Sequence, residues 1–289
     1  MLADVPFPAW TPHPDVWLLV AVIATCYAVA IKRLGPRLAP AGTSIVTRFQ
    51  VTTFTAGLVA LWLASDWPIH DLGENYLFSI HMVQHTVYAV IAAPLFLMGT
   101  PAWLARWILT PRWLMRTVRY LARLIPATIV FNLVVIVTHT PIVVNASLRH
   151  ALLHFAIHAV IVVSSLLVWM PVLSPLPEVP RLQPLVRMLY LFLQTVIPTV
   201  PASFLTFGDH PLYRYYDHVP RLWGVSELTD MQMAGLIMKV VVGFSIWITI
   251  AVIFFRWYNV EESGTALHRR MLHDLDEDLI GLSREARSS

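Results

Sequence analysis

The segment YLFSIHMVQHTVYAVIAAPLFLM, residues 76–98, decides how the rest of the chain is read. It contains no Asp, Glu, Lys or Arg. At about 1.5 Å per residue, a helix of this length spans the hydrocarbon core of a bilayer. Its polar side chains, His81, Gln84 and His85, all lie in the first half.

Six more apolar stretches of similar length surround it, near residues 15–34, 46–65, 124–142, 148–170, 183–206 and 231–256. The composition agrees with them. Of 289 residues 57% are apolar and 13% charged, and the mean hydropathy is +0.65, whereas a soluble domain carries about 25% charged residues. The reading is an all-α, seven-transmembrane-helix bundle over residues 15–258, with a Pro-rich head at 1–14 and a charged tail at 259–289. An ordinary soluble enzyme and a disordered chain are both excluded by this composition. The head has no basic n-region, so no cleavable signal peptide is expected. Cys26 is the only cysteine, which leaves no internal disulfide and no Cys-rich metal cluster.

Basic residues set the orientation, because they are retained on the cytoplasmic side. Lys32, Arg33, Arg37 and Arg48 flank the first loop, Arg106, Arg112, Arg116, Arg119 and Arg123 fill the third, and Arg181 and Arg187 flank the fifth. Arg256, Arg269, Arg270, Arg284 and Arg287 follow the last span, against Arg149, Arg214 and Arg221 on the other side. The N-terminus is therefore expected outside and the C-terminus in the cytoplasm. The basic charge follows topology and does not imply a nucleic-acid partner. The third loop alternates aromatic and basic residues, the pattern of an amphipathic segment lying along the inner bilayer surface.

With this orientation, ten of the twelve histidines fall in the outer half, and only His268 and His273 are internal. His13, His70, His210 and His218 read as exposed loop residues. His81 and His85 open the third span, one helical turn or about 6 Å apart on one face. In HALLHFAIH, His150, His154 and His158 repeat at i, i+4 and i+8 down the start of the fifth, with His158 deepest. His139, just before Pro141, closes the fourth. Polar groups at membrane depth are costly and usually face the bundle interior, so imidazoles from three spans are expected to meet.

Imidazole suits copper, zinc, iron and nickel. No carboxylate is expected beside these rings, which argues against calcium and magnesium. Met231, Met233 and Met238 open the last span near the same face, and thioethers favour Cu(I). Together the inventory favours copper, with His81, His85, His139, His150 and His154 as ligands. His158, Met231, Met233 and Met238 are auxiliary candidates. Asp230, Gln232 and Gln84 are candidate supporting groups, Asp230 through the second nitrogen of an imidazole. Haem held between two histidines is a second reading of the same spacing. No catalytic motif is present, and the chain is read as a non-enzyme.

The run LFSIHMVQHTVYAVIAAPLFLMGTPAW resembles the signature of the integral-membrane CtaG family of cytochrome c oxidase assembly factors. The likeness continues through THTPIVVNASLRHALLHFAIH, VWMP, DHPLYRYY and DMQMAGLIMK, from about residue 45 to 258. The resemblance implies a seven-helix protein of the bacterial plasma membrane that helps a haem–copper oxidase acquire its copper centres. It also implies an oxidase subunit as partner, a copper donor on the outer side, and a ligand role for the five histidines named above. Asp230 and Gln232 match the polar pair that opens the family's last span. Met231 departs from an expected glutamine, and Lys239 from a commoner aromatic. Three other functions are weighed against copper delivery: a haem-binding electron carrier, a copper transporter, and a metal-free assembly scaffold whose histidines only bond between helices.

Overall fold

The computed structural model describes the backbone of residues 7–288 and the side chains through 264. Among these residues there are helices and turns and no strand. The helices are α1 (Pro14–Leu38), α2 (Arg48–Ser65), α3 (Ile69–Asn75), α4 (Phe78–Gly99), α5 (Ala102–Ile108) and α6 (Arg112–Leu121). They continue as α7 (Leu124–Thr138), α8 (Pro141–Ser147), α9 (Ala151–Leu173), α10 (Pro184–Thr206) and α11 (Glu227–Ser288).

Each of the seven forecast stretches is helical. Five of them, α1, α4, α9, α10 and α11, are long and apolar enough to cross a membrane individually, and a sixth span arises if α6 and α7 count as one helix pair bent by 87°. The 18-residue α2 begins with Arg48 and Gln50 and is not among the five. The fourth forecast span shortens to the 15 residues of α7, because Pro141 starts α8 after a break at His139 and Thr140. The charged tail is not a separate element: α11 runs through Ser288 unbroken. Residues 1–6 of the head and the side chains of His268 and His273 lie outside the described residues.

Apolar side chains face outward along the bundle, as a lipid-facing surface requires: Ile142 is 83% exposed and Leu152 81%. Among residues 14–29 of α1 none is buried. The centre belongs to α4, which packs against α2, α3, α9 and α11. Midway along it, Tyr88–Ala92 widens into a π-turn just before Pro94. Proline has no N–H to give to the turn behind it, and the Ala89 carbonyl accepts instead from the Trp169 indole at 2.8 Å. This bond ties α4 to α9 one turn below His85. The polar residues Asn132 and Gln194 bridge α7 and α10: Gln194 donates to Thr128 Oγ1 at 2.7 Å and accepts from Asn132 at 3.3 Å.

The bundle has two unlike ends. At one, α5 and α6 present Arg106, Arg112, Arg116 and Arg119 to the surroundings, and Arg106 pairs with Glu178 at 2.7 Å. At the other, the starts of α4, α9 and α11 meet the end of α7. The connection before α11 folds over this second end, burying Tyr213 and Tyr216 against Phe78. Tyr216 donates to the Gly73 carbonyl at 2.6 Å and Tyr213 to that of His139 at 3.0 Å.

Candidate metal centre

His81 and His85 leave one face of α4 in its first two turns, with ring centroids 4.4 Å apart. From α9, His158 comes within 5.5 Å of the His81 ring and 5.0 Å of the His85 ring. These three residues can each turn one nitrogen to a common point, with all three nitrogens within 4.8 Å of one another. His139, at the end of α7, lies 5.5 Å from His85 on the far side.

The hydrogen bonds of these rings are the informative feature. His81 Nδ1, both nitrogens of His85, His139 Nε2 and His158 Nε2 are buried without a partner. Leaving a buried polar atom unpaired costs about 1–3 kcal/mol, so a set of five in one place calls for something that pairs with them. His139 shows how one of these nitrogens is oriented. Its Nδ1 lies 2.7 Å from the Val135 carbonyl, which can only accept. The proton therefore sits on Nδ1, and Nε2 offers a lone pair to the interior. A neutral imidazole oriented by a backbone carbonyl is the arrangement that metal ligands use.

Helix α4 is held for this purpose by Asp230. Its carboxylate accepts from the backbone N–H groups of Phe78 and Ser79 at 2.7 and 2.9 Å, and the residue is 1% exposed. A carboxylate at a helix N-terminus satisfies otherwise unpaired donors and favours the positive end of the dipole. The sequence suggested that Asp230 orients an imidazole directly. Instead it fixes the start of the helix that carries two of them.

A second group lies nearer the surface. Glu74, on α3, places Oε1 3.3 Å from His70 Nε2 and 2.9 Å from His154 Nε2. The latter contact is close but not aligned as a hydrogen bond, since His154 Nε2 counts among the unpaired atoms. Burial pushes the Glu74 carboxyl up, yet the neighbouring His154 and His70 outweigh it and hold its pKa below the ordinary value. Burial lowers the His70 pKa, with Glu74 opposing. Gln84 donates to His70 Nδ1 at 3.3 Å and to the Tyr88 hydroxyl at 2.9 Å, and Tyr88 meets Ser65 at 2.7 Å. Gln84, read as a supporting group, bonds His70 and not His81 or His85.

Several sequence expectations need correcting. His150 is exposed and outside the cluster: it sits at the N-cap of α9 with extended backbone (φ −134°, ψ 100°), which takes it off the helical stripe of His154 and His158. His158, read as an auxiliary candidate, stands with His81 and His85 in the inner group. His70 and His13 are not free loop residues, since His13 bonds Asp71 at 2.7 Å and packs 5.0 Å from His70. His210 and His218 are exposed, as read. A carboxylate does stand beside the histidines, contrary to expectation: Glu74, from the short helix α3 before α4. Met231 Sδ accepts from Leu212 N at 3.3 Å, Met233 is 45% exposed, and Gln232 donates to the Gly208 carbonyl at 3.0 Å. Met238 and Met82 alone reach the space beyond His85 and His139, a narrow apolar chamber of about 80 Å³ lined also by Phe131, Trp169 and Leu191. Lys239 donates to Ser203 Oγ at 3.3 Å and lies 4.8 Å over the Phe207 ring.

Fold and site together define a multi-pass helical membrane protein with a buried imidazole cluster at one end. The chain belongs to the cytochrome c oxidase caa3 assembly factor family, which it matches over residues 25–260. No curated protein and no solved structure matches it.

Proposed function

We propose that the chain binds copper at His81, His85 and His158, with His139 closing the far side, and supports copper-centre formation in the oxidase whose assembly the family serves. The single observation behind this reading is the set of buried, unpartnered imidazole nitrogens converging from three helices. Copper here is cargo, and no turnover of a small molecule is required. Three neutral imidazoles with Met82 and Met238 nearby form a soft, uncharged donor set, which suits copper better than calcium or magnesium. The distribution of basic residues supports reading the histidine end as the outer one, the side from which a copper donor would approach and where an oxidase subunit would receive the ion.

Two features favour this reading over its rivals. A haem must lie between its axial rings, whereas these rings touch one another at centroid distances of 4.1–5.5 Å. A transporter needs ligands across the bilayer, whereas beyond His139 the chamber is lined by apolar groups, with Gln194 and Thr86 the exceptions. The test is copper per chain in the purified protein, wild type against His81→Ala/His85→Ala. Loss of the inner ion supports the proposal. Unchanged copper content removes it, and would leave the metal-free scaffold as the better account.

A further inference from the structure

The inner cluster is all imidazole and has no charge of its own. His81 is 4% exposed and His85 8%. A hydrated divalent cation cannot move into such a place in one step without losing most of its water to a site with no negative charge, and desolvating a charge is costly. What lies between the inner cluster and the surface therefore matters.

Between them stand His70, Glu74 and His154, whose ligand atoms lie within 4.8 Å of one another. Side-chain exposure falls from 28% at Glu74 through 21% at His70 to 9% at His154. Glu74 Oε1 is bracketed by the two Nε2 atoms at 3.3 and 2.9 Å. The group touches the inner cluster directly, with the His154 ring 4.1 Å from His158 and 5.3 Å from His81. Toward the surface the His70 ring is 5.0 Å from that of His13. Gly73 helps its placement: a Cβ there would stand 3.0 Å from the His81 backbone, so glycine lets α3 lie this close to α4 without displacing it.

We propose that His70, Glu74 and His154 form a second metal station, in series with the inner one, which receives a divalent cation such as Cu(II) before it passes inward. This rests on the reading of the inner cluster as the cargo site. One carboxylate with two imidazoles is a harder, negatively charged donor set that suits a partly hydrated divalent ion. The three imidazoles beyond it suit the ion once its water is gone. Residues His154 and His158, one turn apart on α9, carry the hand-over, and no electron transfer is involved.

The experiment uses the full chain in lipid nanodiscs, titrated with CuCl2. It is read by copper per chain after desalting, by the Cu(II) EPR spectrum, and by the rate at which the inner ion loads. Wild type is expected to hold two ions. His70→Ala/Glu74→Gln is expected to hold one and to load it at least tenfold more slowly, and His81→Ala/His85→Ala to hold one with the EPR signature of the outer donors. The near-isosteric Glu74→Gln alone should lose the outer ion while eluting as wild type does, which separates ligand loss from misfolding. If His70→Ala/Glu74→Gln keeps the wild-type count, the three residues are only an ion-pair cluster and the station is overturned. An unchanged loading rate overturns the series order. If His81→Ala/His85→Ala keeps the full count while the outer variant loses its ion, the outer station stands and the inner cargo site fails.

Discussion

The two ends of this bundle treat their polar residues in opposite ways. At the arginine end the charged groups point outward, and those that bond choose carbonyls or exposed partners: Arg106 takes Glu178, and Arg119 the Glu178 carbonyl at 3.0 Å. Among the described residues, no arginine side chain at that end is buried and unpaired. At the histidine end the polar groups turn inward, are covered by the connection carrying Tyr213 and Tyr216, and keep several nitrogens without a partner. Arginines placed for topology need only water and headgroups. Imidazoles buried inside the bundle with unpartnered nitrogens each cost about 1–3 kcal/mol, a cost that a bound group would remove. The contrast therefore singles out the histidine end as the candidate site without reference to any relative.

The variants that probe this contrast can be ranked by expected effect. The largest belongs to His81→Ala/His85→Ala, which removes two inner ligands. Copper affinity at that site should fall by more than the roughly 10–100-fold typical of losing a supporting residue, as measured by competition with a chelator of known affinity. The matched change at the other end, Arg112→Ala/Arg116→Ala, should leave copper binding unchanged. Asp230→Ala comes next. It strips the acceptor from Phe78 N and Ser79 N, and should cost about 1–2 kcal/mol in unfolding experiments in detergent. A copper affinity loss of roughly 10–100-fold should accompany it, because α4 carries both rings. Gly73→Ala is expected to be milder, about 1–3 kcal/mol at most from the overpacked α3–α4 contact. It should weaken the outer station more than the inner. Smallest of all is His150→Ala: an exposed N-cap residue with no side-chain cap bond should change stability by less than about 0.5 kcal/mol and leave copper per chain as in wild type. A copper loss there would return His150 to the ligand set.

Much of this architecture could be read from the chain itself. Seven apolar stretches became helices, and the HMVQH pair on α4 stands where helical spacing puts it. Helical periodicity also placed His154 and His158 on one face of α9. What escaped were features decided by irregular backbone and long-range contact. His150 was read as part of its stripe because the sequence repeat continues through it, while the chain turns extended at that residue. His70 reads from the sequence as an exposed loop residue, whereas it stands on α3 beside Asp71 and Glu74. Their seven-residue helix is too short and too mixed in polarity to announce itself, and Gly73, which lets it dock on α4, carries no side chain to signal the contact. Asp230 was recognised as important, but its partners, the N–H groups of Phe78 and Ser79, lie about 150 residues away in sequence. The methionines of the last span drew attention by their number, and packing decided among them: Met231 serves the covering connection, Met233 faces outward and Met238 reaches the chamber.

The central claim, that α4 and α9 bring their imidazoles to one ion, is tested most directly by X-ray absorption at the copper edge. The sample is the His70→Ala/Glu74→Gln chain carrying one equivalent of copper. The account predicts three or four imidazole nitrogens at about 2.0 Å, a usual metal–imidazole distance, and one fewer after His158→Ala. A spectrum without imidazole scattering, or one that His158→Ala, His81→Ala and His85→Ala all leave unaltered, would contradict it.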